Sequence, residues 1–176
     1  MGGSSSVDQS SRRVVILGID AAGKTTVLQK LGRLSVEQGP TLTYNVATLK
    51  HASLKFSFWD VGGQDTLRPF WRNYFGTGTG AIIYVVDSSD TERIDSAKEE
   101  LAKVLHEEAL AGVPVIVLAN KQDSEYAVSP QVLAQRTSHG LDTFSLLHVS
   151  LRSDLPRHFY NFQWISPLTL LFYHQP

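Results

Sequence analysis

An α/β fold is predicted, with a mostly parallel sheet, one antiparallel hairpin and helices on both faces. Three features of the 176-residue chain predict it. The uninterrupted aliphatic runs at 14–17, 81–87 and 113–119 suit strands covered on both sides. Stretches of helical period separate these runs, the alternation that builds parallel sheets. Between the first run and the first such stretch lies Gly18-Ile19-Asp20-Ala21-Ala22-Gly23-Lys24-Thr25-Thr26, a glycine-bounded turn that opens a helix on a lysine and two threonines.

The elements follow in order. Residues 1–11 are small and polar and are expected to form a flexible N-terminal segment. After strand 14–17 and the glycine turn, Val27, Leu31 and Leu34 recur at i, i+4 and i+7 of a helix. Gly39-Pro40 breaks it. Residues 44–50 and 54–60 read as two strands joined at 51–53, with Leu54, Phe56 and Phe58 on one face. Gly62-Gly63 ends the second, and 64–75 reads as an irregular helix broken by Pro69. After strand 81–87, Ser89-Asp90-Thr91-Glu92 has the form of a capping box, opening a helix with Ile94, Ala97, Leu101, Val104 and Leu105 inward. Strand 113–119 follows, and Ser129-Pro130 starts a short helix to about residue 136. Residues 144–149 read as a last strand. Beyond it, Pro156 and Pro167 interrupt a stretch with no helical period, so a closing helix is not identified. The expected organisation is a flexible segment 1–11, one nucleotide-binding domain 12–150 and a divergent tail 151–176.

Composition narrows the function. The net charge is −1, so there is no bulk basic field for nucleic acid. Cysteine is absent, which excludes disulfides, thiol catalysis, prenylation and palmitoylation and points to a reducing, cytosolic setting. No apolar run reaches the length of a membrane span, and no secretory signal is visible.

The glycine turn fits the Walker A pattern, Gly-x4-Gly-Lys-Thr, and makes this a predicted P-loop NTPase. Main-chain N–H groups of Asp20, Ala21, Ala22 and Gly23, continuing into Lys24, Thr25 and Thr26, form an anion nest at a helix N-terminus. Lys24 reaches the β- and γ-phosphates, and Thr25 is placed to ligate Mg²⁺. Asn120-Lys121-Gln122-Asp123 ends strand 113–119, at the sheet edge where open α/β folds bind ligands. The Asp123 carboxylate can accept from guanine N1–H and the 2-amino group. Adenine would leave it unpaired, a mismatch of about four orders of magnitude in affinity. Asn120 can bond N7, and the Lys121 stem can cover the base. Asp60-Val61-Gly62-Gly63-Gln64 ends strand 54–60. Asp60 would hold Mg²⁺ through a water, the Gly63 N–H would meet the γ-phosphate, and Gln64 would orient the attacking water as the catalytic residue. Thr41 either completes the metal shell when the γ-phosphate is present or merely ends its loop.

With these three motifs in order, the chain resembles the Ras-like small GTPases, and among them the ADP-ribosylation-factor and Arf-like family. The resemblance rests on "GIDAAGKTT", "PTLTYNV", "WDVGGQDTLRPFWRNYF", "VVDSSDTERI" and "NKQD" and covers about residues 12–136. It implies a GDP/GTP switch with Mg²⁺ that hydrolyses GTP, served by a guanine-nucleotide exchange factor, a GTPase-activating protein and effectors. Switch regions fall by analogy at about 38–45 and 62–75, and Tyr44, Trp59 and Tyr74 match the aromatic cluster that effectors read. Core filling is the plainer reading of those three rings. Gly2, followed by Ser6, fits the N-myristoylation pattern and suggests peripheral association with Golgi or another endomembrane. A plain glycine-serine start fits as well, and one acyl chain binds membranes only marginally. In membrane traffic or lipidated-cargo transport, such a switch recruits effectors.

The tail departs from the resemblance. Where the family places a loop over the guanine, the nearest match is Ser150-Leu151-Arg152, and the long closing helix is not recognisable. Three other readings follow from the sequence: a nucleotide-dependent binding module with negligible hydrolysis, a product whose altered tail impairs folding, and an ATP-using P-loop kinase. Asp123 and the lack of an arginine-rich lid oppose the kinase.

Overall fold

The computed structural model of the chain describes residues 11–31, 44–51, 54–138 and 145–148, with the backbone alone at 30, 31, 51, 138 and 145–148. The expected switch I residue Thr41, the loop candidates Ser150 and Leu151, the acylation candidate Gly2, Leu34 and the expected tail all lie outside these residues.

The strands are β1 (Ser11–Leu17), β2 (Tyr44–His51), β3 (Leu54–Val61), β4 (Thr79–Asp87), β5 (Val115–Asn120) and β6 (Ser145–His148). The helices are α1 (Lys24–Leu31), α2 (Ile94–Leu105) and α3 (Pro130–Ser138). The strands form one sheet in the order β2-β3-β1-β4-β5-β6. Among the described residues only the β2–β3 hairpin is antiparallel, running from Tyr44 opposite Val61 to His51 opposite Leu54; the other four pairings are parallel. This is the fold of P-loop NTPases.

Alternation along the central strands sends side chains to two cores. On one face, Val15, Leu17, Ile82, Tyr84, Val86 and Val117 pack with Ile94, Ala97 and Leu101 of α2, Leu133 of α3 and Trp71. On the other, Val14, Ile16, Val85 and Leu118 pack with Val27 and Leu28 of α1. Both faces are therefore covered, which explains the unbroken aliphatic runs. The buried Tyr84 hydroxyl donates to the Ala97 carbonyl at 2.8 Å, which fixes α2 against β4.

Two local expectations need correction. Ser89 does not cap α2: its hydroxyl and amide both donate to Asp87 Oδ1, at 2.6 and 2.9 Å. Asp90 serves the helix entry instead, accepting the Arg93 amide and, through Oδ2, the Arg93 Nε. Pro69 does not break a helix but sits in the first turn of a 3-10 helix, Arg68–Tyr74, where its missing N–H and fixed φ cost nothing. At α3 the expected start holds, with Ser129 Oγ accepting the Val132 amide at 3.3 Å.

Candidate nucleotide-binding site

β1 and β3 run in parallel with Ile16 opposite Asp60, so the glycine turn after β1 and the Asp60–Gln64 segment after β3 emerge side by side. They enclose a cleft of about 370 Å³ bordered by Asp20, Ala21, Lys24, Thr25, Asp60, Gly63 and Gln64, with Tyr44 and Asn45 from β2. Seven of the residues expected to hold phosphate, metal or water thus share one cavity.

Within the turn, Ala21 sits at φ 59° and Gly23 at φ 92°. A non-glycine residue such as Ala21 costs about 1–2 kcal/mol in that left-handed region, a strain expected where main-chain N–H groups must converge. A Cβ at Gly23 would lie 2.4 Å from Asn120 Nδ2. The missing side chain lets Asn120 donate to the Ala22 carbonyl at 2.8 Å. The structure therefore uses the first residue of the base loop as a strut for the phosphate loop, a role that spacing could not reveal.

Lys24 is buried, and its Nζ donates to the carbonyls of Gly18 at 2.7 Å and Ile19 at 2.9 Å. Burial lowers its pKa to about 8, against the pull of Asp60 and Asp20. Two of its three protons are thus held by the loop, and the third direction is open to an anion. Thr26 faces solvent on α1.

Thr25 Oγ1 donates to Asp60 Oδ2 at 2.6 Å, and Asn45 Nδ2 donates to the same oxygen at 3.2 Å. A hydroxyl and a buried carboxylate are hard oxygen donors that suit Mg²⁺. No group of three or more His, Cys, Asp or Glu able to hold a metal occurs among the described residues. The Thr25 hydroxyl and Asp60 carboxylate are thus a donor pair of the type a hard cation would take together with phosphate and water.

Gly63 touches the phosphate loop. A Cβ there would meet the Gly18 carbonyl oxygen at 2.3 Å and Lys24 Nζ at 2.4 Å. Gln64 has an exposed side chain at the cleft margin, and its carbonyl accepts the Leu67 amide at 2.8 Å. Arg68 and Arg72 both belong to the 3-10 helix that follows the glycine pair. In the structure Arg72 approaches Glu107 at 3.6 Å, whereas Arg68 turns to the cleft. There Arg68 bonds Asp20 Oδ1 at 3.2 Å and the Gly63 carbonyl at 2.9 Å. Arg93, which sequence reasoning missed, holds Asp20 Oδ2 at 3.0 Å. Desolvation opposes ionisation of Asp20, but the Arg93 and Arg68 guanidinium groups bring its carboxyl below the ordinary value.

The base loop lies beside this cleft rather than lining it. Lys121, at φ 59°, pairs its Nζ with Asp87 Oδ2 at 2.6 Å. Burial alone would raise the Asp87 carboxyl, yet the bonds from Lys121 and Ser89 bring it below the ordinary value. Asp123 is exposed. Asp87 and Asn45 were also missed; only their positions at strand ends, next to motif residues, could have signalled them.

Tyr44, Trp59 and Tyr74 form one half-buried aromatic group. Tyr44 stacks on Trp59 at 5.3 Å between centroids and meets Tyr74 edge-on at 5.6 Å. The Arg13 guanidinium lies 4.7 Å from the Trp59 ring centre on its face, a cation–π contact. Tyr44 and Tyr74 also pack against the larger core, so the rings join surface and interior.

A parallel sheet with a Walker A turn facing a strand-end Asp-x-x-Gly and an Asn-Lys-x-Asp loop defines a P-loop nucleotide-binding protein of the small-GTPase type. The chain belongs to the ADP-ribosylation factor family, whose model matches residues 3–151. ADP-ribosylation factor 1 of Brassica rapa subsp. pekinensis is 52% identical over 112 residues, which are 63% of this chain. The chain spans 61% of that relative's length. Among solved structures, the Arl6 BBS3 small GTPase from Trypanosoma brucei, with bound nucleotide analogue GppNp, superposes with a TM-score of 0.69 at 28% identity. The match covers 80% of this chain and 87% of that one.

Proposed function

We propose that the chain is a guanine-nucleotide switch that binds GDP and GTP and hydrolyses GTP slowly. The observation that carries this reading is the convergence of Lys24, Thr25, Asp60 and Gly63 on one cleft, with the Asn120 strut tying the base loop to it. Family membership agrees, and the Trypanosoma relative was solved with the nucleotide analogue GppNp. Lys24 and the loop amides hold the phosphates. Asp123, exposed in the base loop, selects guanine through N1–H and the 2-amino group. Thr25 and Asp60 would hold Mg²⁺, which supplies charge neutralisation on the phosphates when bound. Gln64 orients the attacking water, and the Gly63 N–H reads the γ-phosphate.

Slow intrinsic turnover follows from where the nearby arginines are engaged. Arg68 and Arg93 are paired with Asp20, and Arg72 with Glu107, so transition-state charge on the γ-phosphate is left to an arginine from an activating protein. An exchange factor, effectors reading Tyr44, Trp59 and Tyr74, and a cytoplasmic site on endomembranes through acylated Gly2 complete the proposal. Nucleotide extracted from the folded, purified chain and resolved by anion-exchange chromatography tests it. GDP or GTP in near-stoichiometric amount is expected; adenine nucleotide, or none with no thermal shift on adding GDP, refutes it. Negligible hydrolysis is the second reading, favoured by that same engagement of the arginines. Absence of cleavage even with activating proteins would select it.

A further inference from the structure

We propose that Trp71 and Arg68 are positioning residues for the γ-phosphate, acting through the peptide planes of Gly62 and Gly63; the proposal rests on the guanine-nucleotide reading. Trp71 is 3% exposed, and its indole Nε1 donates to the Gly62 carbonyl at 2.9 Å. Arg68 Nε donates to the next carbonyl, Gly63, also at 2.9 Å. In a trans peptide the carbonyl and the following N–H point in opposite directions. The Trp71 bond therefore sets the direction of the Gly63 N–H, and the Arg68 bond sets that of the Gln64 N–H.

Two consecutive glycines need such anchoring. Without side chains their peptide planes rotate with little restraint, and a donor contributes to anion binding only when aimed. Both anchors are themselves fixed. Trp71 meets Tyr84 edge-on at 6.3 Å, and Tyr84 is bonded to α2 through Ala97. Arg68 is gripped by Asp20 at 3.2 Å and Asp65 at 2.5 Å, with Glu100 at 4.0 Å. Asp20 is in turn held by Arg93. The phosphate loop, the glycine pair and the start of α2 thus form one braced unit.

The diphosphate part of a nucleotide rests on the Walker A turn, which neither anchor touches except through Asp20. The two residues therefore act on the preference for triphosphate over diphosphate. The test measures the affinity of the full chain for GDP and for GppNp, with Mg²⁺, in Trp71→Phe and Arg68→Lys. Phe keeps an aromatic ring in the core but has no N–H; Lys keeps the charge beside Asp20 but loses the Nε bond. The ratio of GppNp to GDP affinity is expected to fall about tenfold in Trp71→Phe and about threefold in Arg68→Lys. Equal weakening of both nucleotides, or ratios within about twofold of the parent, would overturn the proposal in favour of a packing role. If Trp71→Phe shows no cooperative unfolding transition, the Arg68→Lys ratio decides by the same criterion. A parent chain that binds neither nucleotide overturns the functional reading and this inference with it. That result is distinct from a parent that binds both and variants that keep its ratio.

Discussion

The Thr25 hydroxyl and the Asp60 carboxylate meet at 2.6 Å, joining the first turn of α1 to the end of β3. The contact exists because β1 and β3 pair in parallel and release their C-terminal loops at the same sheet edge. In Thr25→Ala the carboxylate keeps Asn45 as a donor but loses a charge-assisted bond. The expected loss is about 1–2 kcal/mol of stability in a denaturant titration. Nucleotide release should also stop responding to metal chelation: EDTA should speed release from the parent and leave the variant's rate nearly unchanged.

Gly63→Ala should be costly. Its Cβ would lie 2.3 Å from the Gly18 carbonyl oxygen and 2.5 Å from the Ile19 carbonyl carbon, both main-chain atoms that cannot swing aside. Overpacking of this kind costs about 1–3 kcal/mol. The expected result is a lowered denaturation midpoint with an unchanged slope, together with weaker binding of GppNp than of GDP.

Gln64 has its side chain in solvent at the cleft edge, so Gln64→Leu removes little packing. Single-turnover hydrolysis of GTP should fall by about tenfold or more, while GTP affinity stays within about threefold. Equal rates would remove Gln64 from the mechanism.

Asp87 supplies a pH test. Its folded carboxyl titrates below the ordinary value of 3.8, because bonds from Lys121 and Ser89 outweigh its burial. A depressed folded pKa gives stability that is fully present above the unfolded value and lost as pH falls through the folded one. Asp87→Asn should therefore be less stable than the parent by a constant margin above about pH 5, and that margin should shrink below about pH 4. Denaturant midpoints recorded from pH 7 to pH 3 check this, and a margin independent of pH would contradict it.

The Walker A turn, the paired glycines and the Asn-Lys-x-Asp loop were legible in the sequence because each is a local motif at the end of an aliphatic run. Run and turn lie within one short window, where periodicity and turn chemistry speak directly. The hairpin was legible for the same reason. The Ser89 capping box was misread because a stronger acceptor, Asp87, lies two residues away and takes both Ser89 donors. Pro69 was misread because proline ends one helix and begins another with equal ease.

By itself, the sequence nominated the groups that the proposed chemistry needs: the amides and ammonium for phosphate, Asp123 for the base, Thr25 and Asp60 for a cation. Only the tertiary structure decided how they are held. Arg68 and Arg93 reach Asp20 across 48 and 73 residues, and Asn120 reaches Ala22 across 98. Bonds between groups so far apart in sequence depend on strand order and register, which local periodicity does not encode; parallel pairing brings the distant loops to one edge of the sheet.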